Sequence, residues 1–155
     1  MTWMAGHTTI TELLAVGHLA RISGDAANGD YLLEQGRQRL ASARVIAGTD
    51  PVGAFELAYD GVRQAAVALL AQQGLRAKLE GGHAGTSQAV RAQFGRDFDF
   101  FDTMRRLRNQ LEYPQSAEDM FIDGGDLQAA LDYASRILTA AELLLPNLGI
   151  WQPVS

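Results

Sequence analysis

The sequence predicts an all-α domain: a bundle of five to six helices, mostly antiparallel, with a short extra helix at its N-terminal end. Apolar residues recur at i, i+3, i+4 and i+7 in segment after segment, the spacing of one helix face. No stretch holds the period-two alternation of a strand over a useful length, and no internal repeat is evident. Capping and breaking residues punctuate the chain, so most connections are short. With 155 residues, 47% of them hydrophobic, the chain can build one core and is too short for two domains. The expected organisation is an N-terminal arm and short helix over 1–24, the bundle over 25–146 and a C-terminal tail over 147–155.

Residues 1–8 carry no periodic pattern and read as a loose arm. Thr9-Ile10-Thr11-Glu12 has the form of a capping box, opening a short helix with Ile10, Leu13, Leu14 and Gly17 on one face and running out near Ser23-Gly24. Asn28-Gly29 marks a turn between Asp25 and Asp30. A second helix is expected from about Tyr31 to Ala47, with Leu33, Gly36, Leu40, Ala43 and Ala47 inward; its small residues let a neighbouring helix approach closely. Asp50 as N-cap and Pro51 at the first helical position open a third helix, Pro51 to Gln73, closed by Gly74 at C′. Its inward face, Ala54, Phe55, Ala58, Val62, Ala65, Ala66 and Leu69, makes it the central helix.

Leu75 to Gly85, with Gly81-Gly82-His83 inside it, reads as a loop. Thr86 or Ser87 caps a short helix through Phe94, which Gly95 breaks, and Asp97 begins the next helix. After Pro114 an acidic loop runs to Gly125. Asp126 then caps a last helix whose Leu127, Leu131, Ala134, Leu138, Ala141 and Leu145 form one stripe, ended by Pro146. The tail is short enough to pack through Trp151.

Composition removes several function classes. The absence of cysteine excludes disulfides, thiolate metal sites and cysteine nucleophiles. No run approaches the length of a membrane span, and Met1 to Gly6 lacks the basic start of a signal peptide, so a soluble cytoplasmic protein with no membrane partner is expected. The net charge of −5 gives no general field for nucleic acid, and any such contact has to be local. Arg105-Arg106-Arg108 is the dense basic patch.

That patch lies in Asp102-Thr103-Met104-Arg105-Arg106-Leu107-Arg108-Asn109-Gln110-Leu111-Glu112-Tyr113-Pro114. Met104, Leu107 and Leu111, with Phe100 behind them, face the core, and the polar groups fan outwards from Arg108 through Arg105 and Glu112 to Asn109 and Tyr113. Pro114 disfavours the helical conformation at Tyr113, placing its ring at the helix mouth. Glu112 sits in the last turn, where the helix dipole favours cations by about 0.3–1 kcal/mol. Its pairing with Arg108 has the weaker order, contributing only ~0.2–0.5 kcal/mol. Departures of this kind concentrate at functional sites, although a solvated, salt-bridged face gives the same spacing.

Other candidates are weaker. His7, His18 and His83 have no helical-spacing partners, so no metal site is expected from them; His83, after two glycines, could reach a cleft. Asp97, Asp99 and Asp102 are read as compensation of the helix N-terminal dipole rather than as a metal cluster. There is no P-loop, GxGxxG or GxSxG pattern, and no cofactor is expected. Asp60 and Arg63 stand at i,i+3 on the long helix and would extend the Arg108 network if they faced it.

Arg108-Asn109, four helical positions in from a terminal aromatic within an all-α bundle, resembles the HEPN domain, whose usual signature is an arginine, often followed by Asn, and a histidine a few residues on. Ala58-Tyr59-Asp60-Gly61-Val62-Arg63, Gln73-Gly74-Leu75-Arg76 with Gly81-Gly82-His83, and Arg105 to Pro114 together resemble an actinobacterial-type branch of that superfamily over about 25–146. The resemblance implies a homodimer in which the Arg-Asn helices of both subunits line one cleft. Many members cleave RNA without metal, in toxin–antitoxin or antiphage systems. It implies that Arg108 contacts the scissile phosphate and Asn109 positions it, with Arg105 and Arg106 adding phosphate or RNA contacts and Asp60, Arg63 and His83 supporting.

Tyr113 stands where the family histidine belongs. A free phenol with pKa ~10 is ionised in about one molecule per thousand at neutral pH, a handicap of ~4 kcal/mol for taking a proton. Glu112 lies beside three arginines, whose charge favours the carboxylate and weakens it as a base. The expectation is therefore a module that holds RNA, a nucleotide or a partner protein, such as a cognate antitoxin or nucleotidyltransferase. The alternatives are a metal-independent ribonuclease with a degenerate site using Arg108, Asn109, Glu112 and Tyr113, and a purely structural dimer.

Overall fold

Pro51–Gln72 (α3) forms the axis of the molecule, because twelve of its residues are buried and its neighbours pack on both sides of it. The computed structural model describes residues 3–78 and 82–154. In chain order these form α1 (His7–Ala15), β1 (Leu19–Arg21), α2 (Asp30–Ile46), α3, β2 (Leu75–Ala77), α4 (Gly82–Phe94), α5 (Asp99–Glu112) and α6 (Gly124–Leu144). Short 3₁₀ turns lie at Gly24–Ala26, Gly95–Phe98, Ala117–Met120 and Leu145–Asn147. The fold class is all-α, as the periodicity requires.

The ends of α3 follow from local chemistry. The Asp50 side chain accepts a hydrogen bond from the Gly53 N–H at 2.9 Å, Pro51 occupies the first turn, and Gly74 takes φ +73° beyond the last. All seven of its expected inward residues are buried. α2 lies against it at a point where Gly36 and Gly61 face each other. A Cβ added at either would stand 3.1 Å from the other's carbonyl oxygen. Leu138 of α6 wedges into the same crossing, so α2, α3 and α6 meet there. The whole expected stripe of α6, from Leu127 to Ala141, is buried, and Leu145 continues it into the Pro146 turn.

Several local expectations are corrected. Leu19–Arg21 and Leu75–Ala77 pair antiparallel, with Ala20 opposite Arg76, where a helix end and a loop had been expected. The capping box does not form: α1 begins at His7 behind Gly6, and the Thr11 hydroxyl donates to the His7 carbonyl. Thr86 and Ser87 are buried inside α4 rather than capping it. Asp123, not Asp126, caps α6, accepting from the Gly125 N–H at 2.6 Å. α5 starts at Asp99, after a 3₁₀ turn that follows Gly95 at φ +78°.

Both chain ends are held. The Trp3 indole donates to the Gln93 carbonyl at 2.9 Å, so the N-terminal segment is not a loose arm there. Trp151 is buried in the C-terminal tail, where its backbone N–H donates to the Gln73 carbonyl at 2.9 Å and its backbone carbonyl accepts from Arg21 at 3.0 Å. His7 stacks on the Trp151 ring with centroids 4.4 Å apart. No helix among the described residues is long and apolar enough to cross a membrane.

Candidate functional site

α5 owes its orientation to Phe101, Met104 and Leu111, which are buried, with Leu107 and Phe100 partly buried beside them. This stripe seats the helix on α3 and α4. Phe101 approaches Tyr59 of α3 with ring centroids 5.7 Å apart, and Phe100 meets Tyr133 of α6 edge-on at 5.0 Å. Pro114 ends the helix as expected: Tyr113 leaves helical geometry at φ −125° and ψ 62° while its N–H still donates to the Asn109 carbonyl.

The three arginines of the patch are each engaged within their own helix. Arg108 grips Glu112 through both guanidinium nitrogens, at 2.9 and 3.2 Å. Both side chains are about one-third exposed or less, so solvent screening holds the pair to a few tenths of a kcal/mol, roughly 0.3–0.5. On its other side the Arg108 guanidinium lies over the Tyr59 ring, 5.4 Å from its centroid. Arg105 and Arg106 converge on Asp102, Arg105 through Nε at 3.1 Å and Nη2 at 2.7 Å and Arg106 at 2.7 Å. The hydrogen bond from Arg105, with the charges of Arg105 and Arg106, holds the Asp102 carboxyl below the ordinary aspartate range, against the opposing effect of burial.

Asp60 and Arg63 pair at 3.8 Å on α3. Their neighbour Tyr59 ties them to α5. Burial pushes the Tyr59 phenol up, and the charges of Arg108, Arg63 and Arg105 oppose that rise. Tyr59 thus carries the Arg108 guanidinium over its ring and feels the charge of arginines on both helices. Asp60 and Arg63 pair with each other, and among the described residues no ion pair joins either of them to Arg108.

Sequence reasoning named Tyr59 only within the Ala58–Arg63 stretch and gave it no role, because it lies beside the apolar stripe rather than on it. The usable signal was its place beside Asp60 on a face otherwise lined by small residues.

Asn109 and Tyr113 lie elsewhere on the fan. With Gln110, Gln115 and Asp119 they line an open recess of about 550 Å³ that does not include Arg108 or Glu112. The Tyr113 ring is 76% exposed, and Met120 and Phe121 are also largely exposed beyond it. Within the chain, therefore, Arg108 with Glu112 and Asn109 with Tyr113 form two adjoining surfaces rather than one pocket. His83 lies near the start of α4, and its side chain falls outside the described residues.

Asp99 pairs with Arg91 at 3.1 Å and Asp102 with its two arginines, so both carboxylates act as ion-pair partners. Among the described residues no three His, Asp or Glu side chains are grouped to hold a metal ion.

Comparison with protein families, curated proteins and solved structures finds no match.

Proposed function

We propose that the chain is a HEPN-like homodimeric module that binds RNA or a nucleotide at the α5 surface without cleaving it, in a toxin–antitoxin or antiphage setting. The observation that carries this reading is the Arg108 guanidinium, set on the Tyr59 ring and bridged by Glu112. A guanidinium held in place by a ring loses little freedom on meeting a phosphate. The Glu112 partner is solvent-screened and on the same helix, so an incoming phosphate dislodges it at a cost of only a few tenths of a kcal/mol, roughly 0.3–0.5.

The same contacts argue against cleavage. Both Glu112 carboxylate oxygens lie against the Arg108 guanidinium, at 2.9 and 3.2 Å, and Glu112 takes no part in lining the recess beside Tyr113. Tyr113 projects into solvent beside the recess, away from the Arg108–Glu112 pair. A homodimer supplies what one subunit lacks, since a two-fold contact near the helix mouth sets the Asn109 and Tyr113 surface of one copy against Arg108 of the other.

Exposed Tyr113, Met120 and Phe121 support a second reading, in which an antitoxin or a nucleotidyltransferase covers this patch. Fluorescence anisotropy with a single-stranded RNA tests the first. Wild-type protein should bind with an affinity that falls as salt rises, and Arg108→Ala and Arg105→Ala should each weaken it by about tenfold. RNA binding that is absent, or that ignores both substitutions, would leave the protein-partner reading.

A further inference from the structure

A second polar groove runs between α2 and α6, on helices that take no part in the α5 surface. Its main recess, about 470 Å³, is lined by Arg44 of α2 and by Asp132, Ser135, Arg136, Thr139 and Leu143 of α6. An adjoining recess shares Arg44, Ser135 and Thr139 with it. The two helices are antiparallel here: Arg37 in the middle of α2 bridges to Glu142 near the end of α6 at 2.9 Å, while Arg44 near the end of α2 lies by Ser135 further back along α6.

Charge is balanced at one end of this groove and unbalanced at the other. Arg37 is paired with Glu34 and Glu142, at 3.2 and 2.9 Å. Arg44, two helical turns on, and Arg136 opposite it form no ion pair among the described residues. Asp132 is at the right spacing to neutralise Arg136, yet its carboxylate accepts from the Gln128 amide at 2.9 Å instead.

Arg136 lies over the Tyr133 ring, 5.3 Å from its centroid. That ring is fixed from beneath, its hydroxyl donating to the Asp97 carbonyl and its edge meeting Phe100. The guanidinium therefore rests on a buried, anchored platform rather than swinging freely.

The geometry points to a phosphate-binding site in this groove for a small phosphomonoester. Arg44 and Arg136 supply charge and forked donors from opposite walls, and the Ser135 and Thr139 hydroxyls, one helical turn apart, supply neutral donors between them. Exposed Leu143 forms an apolar lip suited to the ester's carbon group. Against two guanidinium groups and the one Asp132 carboxylate of the same lining, a dianion is held better than the single charge of a phosphodiester. The site is independent of the α5 reading.

Calorimetric titration with phenyl phosphate, inorganic phosphate and dimethyl phosphate tests this. Phenyl phosphate should bind best, inorganic phosphate more weakly and the dimethyl diester at least about tenfold more weakly than phenyl phosphate. Arg44→Gln and Arg136→Gln, both solvent-facing changes that keep helix propensity, should each weaken phenyl phosphate by about tenfold or more. Arg108→Ala should leave it unchanged, which separates failure here from failure at α5. Equal binding of ester and diester, no phenyl phosphate binding, or binding that survives both groove substitutions would each overturn the proposal.

Discussion

Asp102 is the residue through which charge on α5 is organised. It draws Arg105 and Arg106 to one side of the helix, which leaves Arg108 to Glu112 and Tyr59. Its folded-state pKa is lowered by the Arg105 hydrogen bond, so its contribution to stability is present above the ordinary aspartate pKa and is lost as pH falls through the depressed one. Asp102→Asn should lower stability by about 1 kcal/mol at pH 7. In urea titrations the two proteins should begin to converge as pH falls below the ordinary aspartate pKa of roughly 4 and should meet only once it has passed the depressed folded-state value. A gap that persists undiminished into acid would mean that the ion pairs do not carry the effect. The Arg105 and Arg106 spacings to Asp102 were legible in the sequence as i,i+3 and i,i+4. They were passed over because an aspartate in a first turn reads as dipole compensation. Tyr59 was hidden for a different reason, since periodicity reports which face is buried and not which aromatic ring supports a cation.

At the scale of the elements, strongly capped helices were readable and short or doubly signalled ones were not. α3 announced itself through Asp50, Pro51 and Gly74, each with one backbone role. α6 offered two aspartates, and the one before the Gly124-Gly125 pair won because its side chain reaches the Gly125 N–H. Three-residue strands carry no alternation to detect, and β1 and β2 are paired across α2 and α3. The small residues of α2 did foretell close approach. Gly36→Ala would bring its Cβ to 2.9 Å from Leu138 Cδ2 and 3.1 Å from the Gly61 carbonyl oxygen. The leucine can yield and the carbonyl cannot without moving α3, so thermal unfolding should show a loss of about 1–3 kcal/mol. A neutral or stabilising Gly36→Ala would refute the crossing.

For the whole molecule, the central question is whether two subunits share the end of α5. Sedimentation should give twice the chain mass, and Phe121→Asp should shift the protein toward monomer without lowering the helical circular dichroism, since Phe121 is 74% exposed. A wild-type monomer at working concentration would rule out a shared cleft. Both chain ends also converge on one region, where Trp151 meets His7, Arg21 and the end of α3. Trp151→Ala should therefore destabilise the entire fold, by about 3–5 kcal/mol, rather than free only the tail. The sequence marked Trp151 as a packing residue. It could not show that the tail returns to the N-terminal helix, because contacts so distant along the chain leave no local pattern.

The most direct test follows the ¹⁵N signals of the arginine side chains while single-stranded RNA is added, with the RNA then recovered and sized. The Arg108 signal should shift in proportion to occupancy, Arg108→Ala should weaken binding by about tenfold, and the RNA should stay full length. An Arg108 signal that never moves, or RNA that is cut by wild type and spared by Arg108→Ala, would contradict it.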